Sequence, residues 1–297
     1  MPSLKDLRNR ISSVKSTKKI TSAMKMVAAA KLRKAQENAL QSRPYSENLN
    51  KIVKTLISSP GQIFQEPSVI SGGTVNKTEL IVICSADRGL CGGFNGSVIR
   101  YVKKKILELK SRNKEFKTLF IGKKAFQALK RLSEDKILKV FSDVTNKNFD
   151  FSLAKEISDF IISSFNGGTF DSCKLVYTQF NSAINQEIKE KSLIPLLDTD
   201  KEIEDQDDLT QNAQTYNFEP NEEEILNNVV PQNMSVQIFT GLLESMASEQ
   251  GARMTAMDNA TRNANDMIDN LTLYYNRSRQ AVITKELIEI ISGAEAI

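Results

Sequence analysis

The chain has 297 residues, no histidine, no tryptophan, three cysteines and a net charge of +4. Without histidine no Ser-His-Asp or Cys-His nucleophile can be assembled, and no imidazole can ligate a metal or shuttle protons near neutral pH. Any catalysis would fall to carboxylates, Lys, Tyr or Cys. The length suits about two domains, or one with a large appendage.

Apolar residues make up 40% and charged residues 26%, the balance of an ordinary globular chain. Cys84, Cys91 and Cys173 are too few and too unevenly spaced for a disulfide framework or a zinc pair, and read as buried free thiols. No run of about 18 apolar residues is present to span a membrane. The opening Met1-Pro2-Ser3-Leu4-Lys5-Asp6 lacks the apolar core of a signal peptide.

The +4 hides a separation of charge. Met1 to Arg43 holds eleven basic residues against Asp6 and Glu37, a net of +9. Asp198 to Glu224 holds eleven carboxylates against Lys201 alone, a net of −10. The basic head suits nucleic acid, anionic lipid or an acidic protein surface, or is a merely solvated helix face.

In chain order, Ser3 to Arg43 reads as one helix. Ser3 and Asp6 make its capping box, and Pro44 is expected to end it. A 3-4 spacing runs through Leu4, Leu7, Ile11, Val14, Lys18, Thr21, Lys25, Ala28, Leu32, Ala35 and Ala39. A slip is expected in the middle, where Ile20, Met24 and Val27 take over one position earlier.

Glu79 to Cys84 is a buried strand, Phe94 to Arg112 a helix, Thr118 to Ile121 a strand, Lys123 to Leu132 a helix and Ile137 to Phe141 a strand. Phe151 to Phe165 is a helix closed by Gly167-Gly168. Cys173 to Phe180 and Gln186 to Leu193 alternate like an antiparallel pair. Strands alternating with helices imply a mostly parallel, Rossmann-like α/β sheet covered on both faces, with a hairpin at one edge. Asp198 to Glu224 is expected to be a mobile acidic loop.

The last helix is expected to begin after Pro231, capped by Asn233 or Ser235, and to run close to Ile297. A heptad ladder passes through Leu243, Met246, Gln250, Arg253, Met257, Ala260, Ala264, Met267, Leu271, Tyr274, Ser278, Ala281, Lys285 and Ile288. Ten of these 14 are apolar, which argues for a coiled-coil strand. From Ser235 this helix spans roughly 95 Å, against roughly 60 Å for the first. The excess carries Val282, Ile283, Leu287, Ile288, Ile290 and Ile291 over more than half its circumference. Such a surface needs a sleeve from another protein, or packing on the central domain. The expected divisions are an N-terminal coiled-coil arm over 1–57, an α/β domain over 78–196, an acidic linker over 197–230 and a C-terminal arm over 231–297.

Ser85 to Gly96 (SADRGLCGGFNG) follows the first strand and opens a helix, where a doubly wound fold places its phosphate loop. Its glycines do not fit the dinucleotide fingerprint. No Walker loop exists either, because the Gly122-Lys123 pair is preceded by Lys117 where a glycine is required. The residues favour a tight strand-to-helix turn, with Asp87 and Arg88 paired locally, or an edge shown to a partner. The acidic belt lacks EF-hand spacing. Asp258, Asp266 and Asp269, with Arg262 between them, read as exposed helix pairs. No cofactor or metal site is indicated.

Several segments are recognisable together. Leu7-Arg8-Asn9-Arg10-Ile11, Lys19-Ile20-Thr21-Ser22-Ala23-Met24-Lys25-Met26-Val27-Ala28-Ala29 and Ser42-Arg43-Pro44-Tyr45 resemble the opening of the gamma subunit of F-type ATP synthases. Asp87-Arg88-Gly89-Leu90-Cys91-Gly92-Gly93-Phe94-Asn95 resembles that family's central motif. The segments 248–257, 275–280 and 283–290 resemble its close.

The resemblance implies a non-catalytic rotor shaft. An antiparallel coiled coil would stand inside a ring of alternating alpha and beta subunits, and the α/β domain would form a foot beside epsilon on the ring of c subunits. Proton flow would turn it, driving ATP synthesis at beta and regulating ATPase activity. It places Met24 and Arg253 against beta, Arg279, Gln280, Thr284 and Glu286 where loops grip the shaft, and Asp87, Arg88, Gly89, Gly92 and Gly93 on the foot. The basic first helix would face acidic loops on beta. No nucleic acid is expected, and membrane association would come through the complex. The expected place is the cytoplasmic face of a bacterial inner membrane, or the matrix side if organellar. The lack of the chloroplast form's cysteine-bearing insertion argues against thiol control. The rival readings are a nucleotide-binding α/β enzyme and a basic coiled-coil scaffold.

Overall fold

The computed structural model describes residues 3–57, 68–73, 77–144, 150–183, 185–196 and 222–295. They form two compact units, Met1–Ala30 with Arg253–Ile297, and Lys31–Ala252. Helix α1 covers Leu4–Ile57 and helix α5 covers Glu222–Glu295, so both units draw on both helices.

The Lys31–Ala252 unit is built on a five-stranded sheet of order β3-β2-β1-β4-β5. Its strands are β1 Thr78–Cys84, β2 Glu115–Ile121, β3 Ile137–Phe141, β4 Ser172–Phe180 and β5 Gln186–Ile194. Pairing is parallel from β3 to β4, and β5 joins β4 antiparallel at the edge. This is the mostly parallel sheet with an edge hairpin that the alternation of elements predicts.

The continuous apolar run of β1 is explained by burial on both faces. Leu80, Val82 and Cys84 enter one core with Ala154, Ile157 and Ile161 of α4 (Phe151–Asn166) and Met234, Ile238 and Leu242 of α5. Ile81 and Ile83 enter the other with Val98, Val102 and Ile106 of α2 (Phe94–Ser111) and with Ala125 and Leu129 of α3 (Lys123–Leu129). α3 is one turn shorter than its pattern suggests, because Lys130–Leu132 tightens into a 3-10 turn. The Gly167-Gly168 stop is present, with Gly168 at φ +66° donating its N–H to Phe165.

The two prolines do not bound the helices. α1 passes through Pro44 to Ile57, and α5 begins nine residues before Pro231. Asn233 and Ser235 are therefore not caps; both are buried inside α5, and Ser235 Oγ donates to the Pro231 carbonyl at 2.9 Å. An interior proline costs about 3 kcal/mol. Burial of Leu49 and Val53 on α1, and of Leu226 and Val230 on α5, offsets it. The acidic belt lies outside the described residues up to 221, and Glu222–Glu224 opens α5.

The other unit is a helical hairpin. Arg8 bonds Tyr275, Thr21 accepts from Thr261, and Lys25 pairs with Asp258, so partners descend as the first helix ascends and the hairpin is antiparallel. Along α1 the covered positions keep the 3-4 spacing through Lys18 and Lys25 without a slip. Ile20 and Val27 are 60% and 58% exposed, so they do not take over the seam. On α5 the expected ladder stays covered at Leu243, Met246, Gln250, Arg253, Met257, Ala260, Ala264, Leu271 and Ser278. Two rungs fall one residue later, on Ile268 and Tyr275, while Met267 and Tyr274 face solvent, and the ladder positions from Ala281 onward are exposed.

All three cysteines are free and buried. Burial pushes the Cys84 thiol up to about 12 and raises Cys173 as well, with Glu79 adding to the second. Since only a thiolate attacks, alkylation of Cys84 and Cys173 in the native chain should be slower than in urea by about a thousandfold or more. Mass spectrometry of timed iodoacetamide labelling reads this, and equal rates would refute it.

Candidate functional site

The loop after β1 is organised by what lies beside it. Lys123, Lys124 and Ala125 open α3 with three N–H groups lacking helical partners. The loop supplies all three: Asp87 Oδ1 accepts from Lys123 at 3.2 Å, the Ala86 carbonyl from Lys124 at 3.1 Å and Ser85 Oγ from Ala125 at 3.2 Å. Asp87 Oδ1 also accepts from the Asp143 N–H at 3.1 Å, so one carboxylate ties three connections together. Asp87 is thus 7% exposed and turned inward. Asn95 stitches the other end of the loop, accepting from the Ala86 N–H at 3.1 Å and donating to Cys91 Sγ at 3.0 Å.

This leaves a short outward surface. Arg88, Gly89, Gly92 and Gly93 are exposed, and between them Leu90 is 66% exposed at φ +63°. A leucine held in the left-handed region and turned to water is strained and hydrophobic at once. Of the residues expected on the foot, these glycines and Arg88 lie at the surface, and Asp87 stands behind them.

A doubly wound sheet takes ligands where strand order reverses, here between the ends of β1 and β4. That crevice is filled. Ser245 and Ser248 of α5 bond the Thr178 backbone at the end of β4, and beside β1 Leu242, Ser245, Met246 and Glu249 close over Cys84, Ser85, Phe94, Ile121 and Val144 and leave room for about one water molecule. The α3 N-terminus, the other natural phosphate seat, holds its own loop. Among the described residues, neither of these two seats leaves space for a nucleotide.

Behind α2 lies a buried ionic cluster that the sequence pattern does not announce. Lys105 Nζ stands 2.7 Å from Glu190 and 3.5 Å from Glu79, and Tyr101 donates to Glu190 at 2.9 Å. Its members sit on α2, β1 and β5, which only the fold brings together.

In the hairpin unit, Met24 and Arg253 are half-buried. Met24 adjoins Lys25, which bonds Asp258, and Asp258 also pairs with Arg262 at 2.7 Å. The acidic trio is therefore not simply a set of exposed helix pairs, since Asp258 also reaches across the hairpin. Arg279, Gln280, Thr284 and Glu286 lie together on an exposed stretch. Beyond the Arg8–Tyr275 contact α5 continues for roughly 20 residues, about 30 Å, while α1 begins at Leu4. Every residue from Arg279 to Ser292 is exposed, including Val282, Ile283, Leu287, Ile288, Ile290 and Ile291.

Fold and site together define a protein that presents helical surfaces to others from a domain whose ligand crevice is closed. A family model described as ATP synthase matches residues 3–297. The ATP synthase gamma chain of Rhodospirillum rubrum is 50% identical over 299 residues, covering 100% of both chains. That of Pelagibacter ubique is 47% identical over 297 residues, again covering 100% of both. Among solved structures, a chain of the Tetrahymena thermophila mitochondrial ATP synthase central stalk and c-ring is 28% identical. Its TM-score is 0.63, and the match covers 81% of this chain and 99% of that one. A chain of the Euglena gracilis mitochondrial ATP synthase rotor, 18% identical with a TM-score of 0.66 over 94% of this chain and 98% of that one, shares the fold. The chain belongs to the ATP synthase gamma chain family. Its role is that of the central shaft, a non-catalytic and peripheral subunit of the F1 sector. No described helix is long and apolar enough to cross a membrane.

Proposed function

We propose that this chain carries rotation from a proton-driven ring of c subunits to the beta subunits of an alternating alpha and beta ring, coupling proton flow to ATP synthesis and hydrolysis. One observation carries the reading: α5 outruns α1 and ends in an exposed, largely apolar helix that requires a surrounding sleeve. In this reading Arg279, Gln280, Thr284 and Glu286 meet the gripping loops of the sleeve, and Met24 and Arg253 meet beta. Arg88, Gly89, Gly92 and Gly93, set from behind by Asp87, belong to the foot beside epsilon and the c ring. The working division is a shaft of 1–57 and 231–297, a foot of 78–196 and a linker of 197–230, whose last nine residues α5 takes up as its opening turns. The subunit acts on the cytoplasmic face of a bacterial inner membrane, or its organellar equivalent.

Rotation changes affinity only if the shaft contacts each beta state differently. Arg253→Ala should therefore lower the ratio of ATP-driven proton pumping to ATP hydrolysis by roughly fivefold, the low end of such couplings, with assembly retained. Both rates are measured on the complete enzyme in vesicles, and an unchanged ratio removes Arg253 from this role. Co-purification tests the whole reading: alpha, beta and epsilon chains should accompany this one, and their absence defeats it.

A further inference from the structure

Strand β4 runs past its inner neighbour. It pairs with β1 from Ser172 to Val176 but continues beside β5 to Phe180. Thr178 and Phe180, two residues apart, direct their N–H groups to the same edge. There α5 takes the place of a strand. Ser245 Oγ accepts from the Thr178 N–H at 3.0 Å, Ser248 Oγ donates to the Thr178 carbonyl at 3.1 Å, and Glu244 Oε2 accepts from the Phe180 N–H at 2.9 Å. The other Glu244 oxygen takes Arg43 Nη2 at 2.9 Å. Glu244, Ser245 and Ser248 are all buried. The helix backbone lies close on the sheet: a Cβ at Gly241 would stand 2.8 Å from Leu175 Cδ2, and one at Gly251 would stand 3.0 Å from Phe180 Cε2.

Apolar ridges alone let a helix roll, because dispersion and burial are non-directional. Hydrogen bonds to a strand edge are directional, and breaking them strands buried backbone groups. We propose that Glu244, Ser245 and Ser248 are positioning residues that lock α5 against rotation on the α/β domain, so that turning this domain turns the helix. This rests on the shaft reading above. It assigns resistance to torque to three polar side chains, where the surrounding core supplies stability.

The test uses Ser245→Ala with Ser248→Ala, and separately Glu244→Met, in the complete ATP synthase in vesicles. Hydrolysis without an opposing gradient should stay within about twofold of wild type, since the reacting groups lie in other chains. Protons pumped per ATP should fall about fivefold as the opposing gradient grows. Amide exchange at Thr178 in the full chain should quicken about tenfold in the double variant, and that at Phe180 in Glu244→Met, which has no acceptor for the Phe180 N–H. Quickened exchange with wild-type pumping under load overturns the proposal, and so does unchanged exchange. If the double variant fails to assemble, Glu244→Met decides by the same two readouts. If wild-type complex containing this chain pumps nothing, the shaft reading fails and takes the lock with it, whereas slow Thr178 exchange would still report the contact.

Discussion

Gly122→Ala is expected to destabilise the α/β unit by on the order of 3–5 kcal/mol, since an added methyl meets a tighter clash there than at any other described glycine. Gly122 sits at φ +97°, ψ +148°, a conformation essentially restricted to glycine. A Cβ there would lie 2.0 Å from the Ser85 carbonyl oxygen and 2.7 Å from its carbon. Those are backbone atoms, so no rotamer change relieves the clash. Neither neighbour can withdraw. Ser85 donates its N–H to Ile121 at 2.8 Å, and Gly122 donates to Phe141 at 2.8 Å, which locks the ends of three strands together. Domains of this kind are stable by about 5–15 kcal/mol, so the variant should be largely unfolded or recovered as aggregate. Urea unfolding of the full chain by circular dichroism measures it, and a midpoint equal to wild type would show that the turn relaxes.

Lys105→Met should cost about 2–3 kcal/mol at neutral pH, discounted for the partial exposure of the cluster. The substitution keeps the volume of the stem but leaves Glu79 and Glu190 facing each other with Lys174, at 3.7 Å, as the nearest remaining cation. The pH dependence follows from signs. Burial alone would raise the Glu190 carboxyl, but the hydrogen bond and charge of Lys105, with Lys174 and Tyr101, hold it below its ordinary value. Its contribution is present above the unfolded-state value and is lost as pH falls through the depressed one. Burial alone would lower Lys105, but its bond to Glu190 and the charges of Glu79 and Glu190 raise it. Its contribution is present below the ordinary lysine value and is lost as pH rises through the raised one. In the variant Glu190 loses the bond and charge of Lys105 that hold it down and binds a proton more readily when folded, so the gap between variant and wild type should narrow as pH falls toward about 4. A gap independent of pH would mean that the loss is one of packing alone.

The legible parts of the fold were those where local chemistry and tertiary demand agree. The uninterrupted apolar run of β1 could only be a strand buried on both faces, and the Gly167-Gly168 pair could only close α4. Pro44 and Pro231 misled because a proline's cost is local and visible, while the burial that offsets it comes from residues distant in sequence. Two rungs of the α5 ladder were not legible for a related reason. Met267 and Tyr274 look as suitable for a seam as Ile268 and Tyr275, and Arg8 on the partner helix decides for Tyr275 by donating to its hydroxyl at 3.0 Å. The exposed surface of the central motif was visible in its glycines, whereas the inward turn of Asp87 depends on Lys123 and Asp143 backbone groups that no spacing rule foretells. The role of Ser245 and Ser248, three apart, is not legible in the sequence because the strand edge they serve is some 70 residues away.

The closed crevice between β1 and β4 has a consequence for control. Its occupant is covalently attached, so its effective concentration is set by the fold and cannot be lowered by dilution. A free metabolite competing there would have to displace a tethered helix whose buried polar groups would then lose their partners. A seat that elsewhere samples the chemical composition of the cell is, in this chain, insulated from it.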